Sequence, residues 1–115
     1  MSSPHRLRIA TKVNPFPGYN ETLTPDSVRE QTAACLAALK TSSVDILYLH
    51  APDHNTPIEK TLGAINELYR AGAFRELGLS NYASWEVAEI YFMSKAKGWV
   101  LPYVFVKVID SRHSC

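Results

Sequence analysis

Short β-branched and aromatic runs alternate with helical patterns along this chain, and that alternation constrains the fold more than any other feature. The runs are Arg8–Val13, Val44–His50, Glu76–Ser80 and Pro102–Val108. Their interiors are mostly apolar rather than alternating, as expected of a parallel sheet covered by helices. With little alternation to go by, the pattern does not say which face of each strand turns inward.

The segments between the runs are punctuated as helices. Thr24-Pro25 places a capping hydroxyl before a proline at the first helical position, and Val28, Thr32, Cys35 and Leu39 follow at helical spacing. Thr56-Pro57-Ile58-Glu59 reads as a capping box, with Ile58, Leu62, Ile65 and Leu68 as a buried stripe and Gly72 as the stop. A third helix starts near Ser84, carries Val87, Ile90 and Tyr91 inward and ends at Gly98. The one long loop, Asn14 to Leu23, holds Pro15, Pro17 and Gly18; loops of that length are often functional.

The order βαβαβαβ has a repeat close to the βαβ unit of about 30 residues or more. The fold class is therefore α/β, with parallel strands and right-handed crossovers. An open doubly wound sheet and a segment of a (β/α)8 barrel both fit. A full barrel takes about 250 residues, so a chain of 115 would make roughly half of one.

Composition removes several functions. Twelve Lys and Arg against 11 acidic residues leave a net charge of +1, too little field for nucleic acid or an anionic membrane. The apolar runs are far shorter than a membrane span, and Met1 to Arg8 has no apolar signal core. Two cysteines, Cys35 and Cys115, suggest neither a disulfide framework nor a zinc site. The expectation is a soluble, cytoplasmic domain.

Ligands of parallel α/β folds bind at the carboxyl ends of the strands. Lys12, His50 and Ser80-Asn81 fall there on three successive strands. A lysine cation lowers the pKa of a nearby hydroxyl, and an imidazole orients a carbonyl. Taken singly, each residue also reads as a solvated lysine or an ordinary loop histidine. His50, Asp53 and His54 could be metal ligands, but nothing completes the set, since His5 and His113 lie near the termini, so no metal is expected and Pro52-Asp53 reads as a turn. No Gly-rich phosphate loop occurs, and Ser80 lacks the flanking glycines of a nucleophile elbow. Trp85 and Trp99 read as packing residues.

Three ordered segments, Ile9-Ala10-Thr11-Lys12-Val13-Asn14-Pro15, Val44 to Asp53, and Glu76-Leu77-Gly78-Leu79-Ser80-Asn81-Tyr82, resemble the aldo-keto reductases. With Ala83 to Ile90, the wording is most similar to the aflatoxin aldehyde reductase subfamily. The resemblance runs from about Arg8 to Pro102 and implies a partial (β/α)8 barrel of about four parallel strands and three helices. It implies NADPH-dependent reduction of aldehydes and ketones, including aflatoxin dialdehyde and small reactive aldehydes such as succinic semialdehyde, in detoxification. By the same resemblance Lys12 matches the catalytic lysine and His50 the catalytic histidine. Ser80 and Asn81 match the pair that holds the nicotinamide carboxamide.

The departures from the family pattern generate their own expectations. The family's catalytic aspartate and tyrosine precede the lysine strand, and none of Tyr19, Tyr48 and Tyr82 matches that tyrosine. A nicotinamide-contacting glutamine expected in the last strand is replaced by Val104-Phe105-Val106-Lys107-Val108, and 103–115 diverges. Residues 1–115 are thus expected to form one partial barrel domain of a truncated family member, weakly active or inactive. A half barrel with two bare sheet edges is expected to be marginally stable or to associate. As a non-catalytic homologue it would act as an interaction module, forming homo- or hetero-dimers with related reductases.

Overall fold

The computed structural model describes residues 9–16, 18 and 21–106, with residues 103–106 as backbone only. The expectations placed on Arg8, Tyr19, Lys107-Val108 and the 109–115 tail lie outside the described residues. Four strands, β1 (Ala10–Val13), β2 (Val44–Leu49), β3 (Phe74–Ser80) and β4 (Pro102–Val106), alternate with α1 (Pro25–Leu39), α2 (Ile58–Arg70) and α3 (Ser84–Lys97). The strands form one parallel sheet in the order β1-β2-β3-β4.

That sequential order decides between the two architectures. A doubly wound sheet reverses its strand order at a switch point, whereas an unreversed order with right-handed crossovers stacks every helix on one face. The result is an α/β segment of a (β/α)8 barrel, with α1 packed on α2 and α2 on α3.

In-register pairing divides the strand residues between the faces. Thr11, Leu47 and Leu77 form one cross-strand row, and Val13, Leu49 and Leu79 the next on the same face. These two rows are buried, and the apolar ones among them join Val28, Leu62, Ile65 and Ile90 in the core beneath the helices. The alternate face carries Lys12, Tyr48 and Gly78 in register, with Asn14, His50 and Ser80 one step further along. The face that carries Lys12 is apolar at its start, with Val44, Ile46 and Phe74 buried there, and becomes polar only at the carboxyl ends of the strands.

The helix signals hold at some ends and fail at others. Thr24 caps α1, its hydroxyl oxygen accepting from Ser27 N–H at 3.3 Å. Leu36 rather than Leu39 packs on the core, leaving Leu39 exposed. The capping box expected at Thr56 does not form: α2 begins after Pro57 without a side-chain cap, and the Thr56 hydroxyl donates to Asp53 instead. Half of a capping box appears at α3, where Glu86 Oε1 accepts from Ala83 N–H at 2.9 Å. On α3, Ile90 is buried and Val87 packs on the core, but Tyr91 stays half-buried against Phe92. Gly72, at φ +85°, ends the turn after α2 and lets β3 start at Phe74, two residues before the expected Glu76. No helix among the described residues is long and apolar enough to cross a membrane.

Gly78 has a packing reason. A Cβ built there would lie 2.5 Å from two atoms of the Tyr48 ring, its cross-strand partner. Gly78→Ala should therefore destabilise the chain by about 1–3 kcal/mol through overpacking. In a Tyr48→Ala background the same change should cost much less. Urea unfolding of the four variants measures that coupling.

Candidate functional site

The site lies where β1, β2 and β3 end side by side. Parallel pairing brings Val13 beside Leu49 and Leu49 beside Leu79, so the loops after these strands leave the sheet together. Lys12, Asn14, His50 and Ser80 are all buried there, while Asn81 is exposed at the edge. Buried polar groups persist only where hydrogen bonds or charge compensate their desolvation, and for Asn14, His50 and Ser80 the ties between these loops supply that compensation.

His50 is held at several points. Its N–H donates to Val13 O at 3.0 Å, and its carbonyl accepts from Asn81 Nδ2 at 2.8 Å. Its ring nitrogen Nδ1 lies 2.6 Å from Asn14 Oδ1, and Phe16 meets the ring edge-on with centroids 5.5 Å apart. Burial, and then the Lys12 cation, push the imidazole below its ordinary pKa, so the ring is neutral at physiological pH.

Ser80 and Asn81 form a linked pair. Asn81 Nδ2 donates to Ser80 Oγ at 3.1 Å as well as to His50 O. Asn81 adopts φ +62°, a left-handed conformation that asparagine tolerates better than most residues. Next to it, Tyr82 donates its hydroxyl to Ala51 O at 3.2 Å. Burial, with Glu86 and Asp53 nearby, raises the Tyr82 pKa above its ordinary value.

The structure brings Lys12, His50 and Ser80-Asn81 to one end of the sheet. It also adds residues the sequence reading passed over. Asn14 opens the long loop before Pro15, and its side chain faces His50. Asp53 ties the β2–α2 loop to the β1–α1 loop: Oδ2 accepts from Leu23 N–H at 2.9 Å and Thr56 Oγ1 at 2.7 Å, and Oδ1 from Asn55 N–H at 3.0 Å. The expected turn at Pro52-Asp53 is thus present, and it also joins two loops.

The three residues weighed as metal ligands each take a different partner: His50 meets Asn14, Asp53 meets Leu23 and Thr56, and His54 Nε2 meets Glu86 Oε2 at 2.8 Å. Among the described residues no group of three or more His, Cys, Asp or Glu could hold a metal ion. Trp99 packs over Gly63 and against the core, as expected. Trp85 does not, standing 67% exposed on the first turn of α3.

Comparison with known proteins bears on this arrangement. Residues 1–110 match the family described as the aldo/keto reductase family. The human protein named aflatoxin B1 aldehyde reductase member 2 is 56% identical over 100 residues, covering 87% of this chain and 27% of that protein. The human member 4 of the same name is 54% identical over 104 residues, covering 90% of this chain and 31% of the relative. A fungal protein named aldo-keto reductase pigE, from Monascus ruber, is 40% identical over 96 residues, covering 84% and 28%. The chain therefore spans between a quarter and a third of the length of these curated relatives.

The loop ties predict acid sensitivity. Burial pushes the Asp53 carboxyl up, but hydrogen bonds from Leu23, Thr56 and Asn55, with His54 nearby, outweigh it and hold the group below its ordinary 3.8. Glu86 is likewise raised by burial but held below 4.5 by His54 and the Ala83 N–H. Folding favours both charged forms, so their contribution is present above the ordinary carboxylate range and is lost as pH falls through it. The thermal midpoint should drop from about pH 5 downward, by this linkage. Asp53→Ala should cost about 1–3 kcal/mol at neutral pH by stranding the Leu23 N–H, and should flatten the acid limb of a midpoint-against-pH curve.

Proposed function

Because the chain belongs to the aldo/keto reductase family, we propose that it carries the lysine, histidine and nicotinamide-holding part of a site that reduces aldehydes and ketones to alcohols with NADPH. The convergence of Lys12, His50 and Ser80-Asn81 on the ends of three adjacent parallel strands is the observation that supports this reading. The relatives named aflatoxin B1 aldehyde reductase favour aldehydes as substrates; reduction of aflatoxin dialdehyde and other reactive aldehydes in detoxification is part of the same proposal.

The donor set at Ser80 and Asn81 fits a nicotinamide carboxamide. Asn81 Nδ2 is occupied by His50 O and Ser80 Oγ, which leaves Asn81 Oδ1 to accept from the amide and the Ser80 O–H to donate to its oxygen. NADPH, when bound, supplies the hydride. His50 orients the substrate oxygen. The Lys12 cation favours the anionic form of a neighbouring hydroxyl and keeps His50 neutral, in addition to the effect of burial.

The proton donor is assigned to no tyrosine among the described residues. Tyr82 donates to Ala51 and resists ionisation, and Tyr48 lies over Gly78 in the row below His50. Without a positioned acid, turnover by the 115 residues alone should fall about 10²–10⁴-fold short of a complete site. The outer strands β1 and β4 each pair on one side only among the described residues. That favours a second reading, an interaction module that adds to related reductases.

Aldehyde-dependent NADPH oxidation by the purified chain tests the first reading. Any turnover should drop by about 10²–10⁴-fold in both Lys12→Met and His50→Gln. Saturating NADPH should raise the thermal midpoint, because a ligand stabilises the state that binds it. Oxidation indifferent to both substitutions, with no shift from NADPH, would reject the assignment. Co-purification with an intact reductase in the absence of turnover would favour the module.

A further inference from the structure

The Asn14 side chain is placed with unusual firmness for a residue that begins a loop. Its N–H donates to Gln31 Oε1 at 2.8 Å, and its carbonyl accepts from Gln31 Nε2 at 2.9 Å. Gln31 Nε2 also donates to Thr22 O and Ser27 Oγ, both 3.1 Å away. The Gln31 amide cannot be turned over without facing its oxygen to two carbonyls, so its orientation is fixed by its partners. One α1 side chain therefore grips the Asn14 backbone at both ends. The Asn14 carboxamide, only 4% exposed as a residue, is delivered to His50 Nδ1 at 2.6 Å.

An amide oxygen accepts hydrogen bonds and never donates them. A neutral imidazole at that distance from Asn14 Oδ1 must carry its proton on Nδ1, which leaves Nε2 with its lone pair. Phe16 packed against the ring restricts the turn that would exchange the two nitrogens.

We propose that Asn14 is a positioning residue that fixes His50 as the Nδ1–H tautomer through its amide oxygen, with Gln31 of α1 holding Asn14 in place. The consequence for chemistry rests on the reductase reading. A neutral His50 accepts a hydrogen bond at Nε2, from the hydroxyl of an alcohol or of a proton donor. It donates to a carbonyl oxygen only after taking a proton from solvent.

The test needs no turnover, so its failure is distinguishable from failure of the reductase reading. The 115-residue chain is labelled with 15N at histidine, and the His50 signals are identified by their loss in His50→Gln. Two-bond proton–nitrogen spectra at neutral pH then assign the tautomer. The expected result is a proton-bearing Nδ1 and a bare Nε2. Asn14→Asp, which keeps an acceptor oxygen, should retain this pattern. Asn14→Leu should lose it, with the proton moving to Nε2 as in free histidine. A wild-type chain with the proton on Nε2 would overturn the proposal, as would an Nδ1–H pattern that survives in Asn14→Leu.

Discussion

In-register parallel pairing across β1, β2 and β3 is the constraint on which the candidate site depends. Strand side chains alternate between faces with a period of two. Because Val13, Leu49 and Leu79 are partners on the helix-covered face, Lys12, Tyr48 and Gly78 must share the other face, with Asn14, His50 and Ser80 beyond them. A slip of one residue in β2 would move Leu47 and Leu49 out of the core and turn Tyr48 and His50 under the helices. The apolar rows thus fix the register, and the register places the polar residues.

The polar ends of the strands depend in turn on ties between loops. Asp53 joins the β2–α2 loop to Leu23, Thr61 Oγ1 donates to Leu23 O at 2.7 Å, and Asn81 and Tyr82 fasten the β3–α3 loop to His50 and Ala51. Each bond contributes about 0.5–1.5 kcal/mol net, but leaving a buried partner unpaired costs about 1–3 kcal/mol. That asymmetry keeps the loops together more effectively than the sum of the bonds suggests. A lysine and a histidine can be buried at the same strand ends because burial and the Lys12 cation keep the imidazole neutral, so no second charge is buried beside the first.

Much of this was legible in the sequence because the relevant signals are local and periodic. All four strands and three helices follow from apolar runs and from Thr24-Pro25, Gly72 and Gly98. The shared location of Lys12, His50 and Ser80-Asn81 was legible because each directly follows, or ends, an apolar run, and parallel pairing brings those ends together. The misread elements are those where a side chain had two suitors. Thr56 had both the expected α2 cap and Asp53 within reach, and the carboxylate took its hydroxyl; Glu59, the other half of the expected box, pairs instead with Lys97 at 3.1 Å. The half box at Ala83 escaped notice because alanine has no capping oxygen, so only Glu86 could reveal it. The two faces of the strands were hidden for a different reason. Apolar residues such as Val44, Ile46 and Tyr48 alternate with Leu47 and Leu49 in β2, and only the register shows that Tyr48 and Gly78 share the face of Lys12.

Asn14 illustrates the limit of reading residues one at a time. As Asn-Pro it announces a turn, and it does leave β1 for a loop. Its other role exists only because α1 returns Gln31 to the same place 17 residues later, and β2 ends with His50 36 residues away. No periodicity encodes such a meeting. It follows from the βαβ unit itself, which sends the chain out over the sheet and brings it back parallel, so that the loop after one strand lies beside the end of the next. The same geometry that collects ligands at the carboxyl edge of a parallel sheet collects the residues that orient one another there. A histidine at that edge is therefore governed as much by the preceding loop as by its own strand.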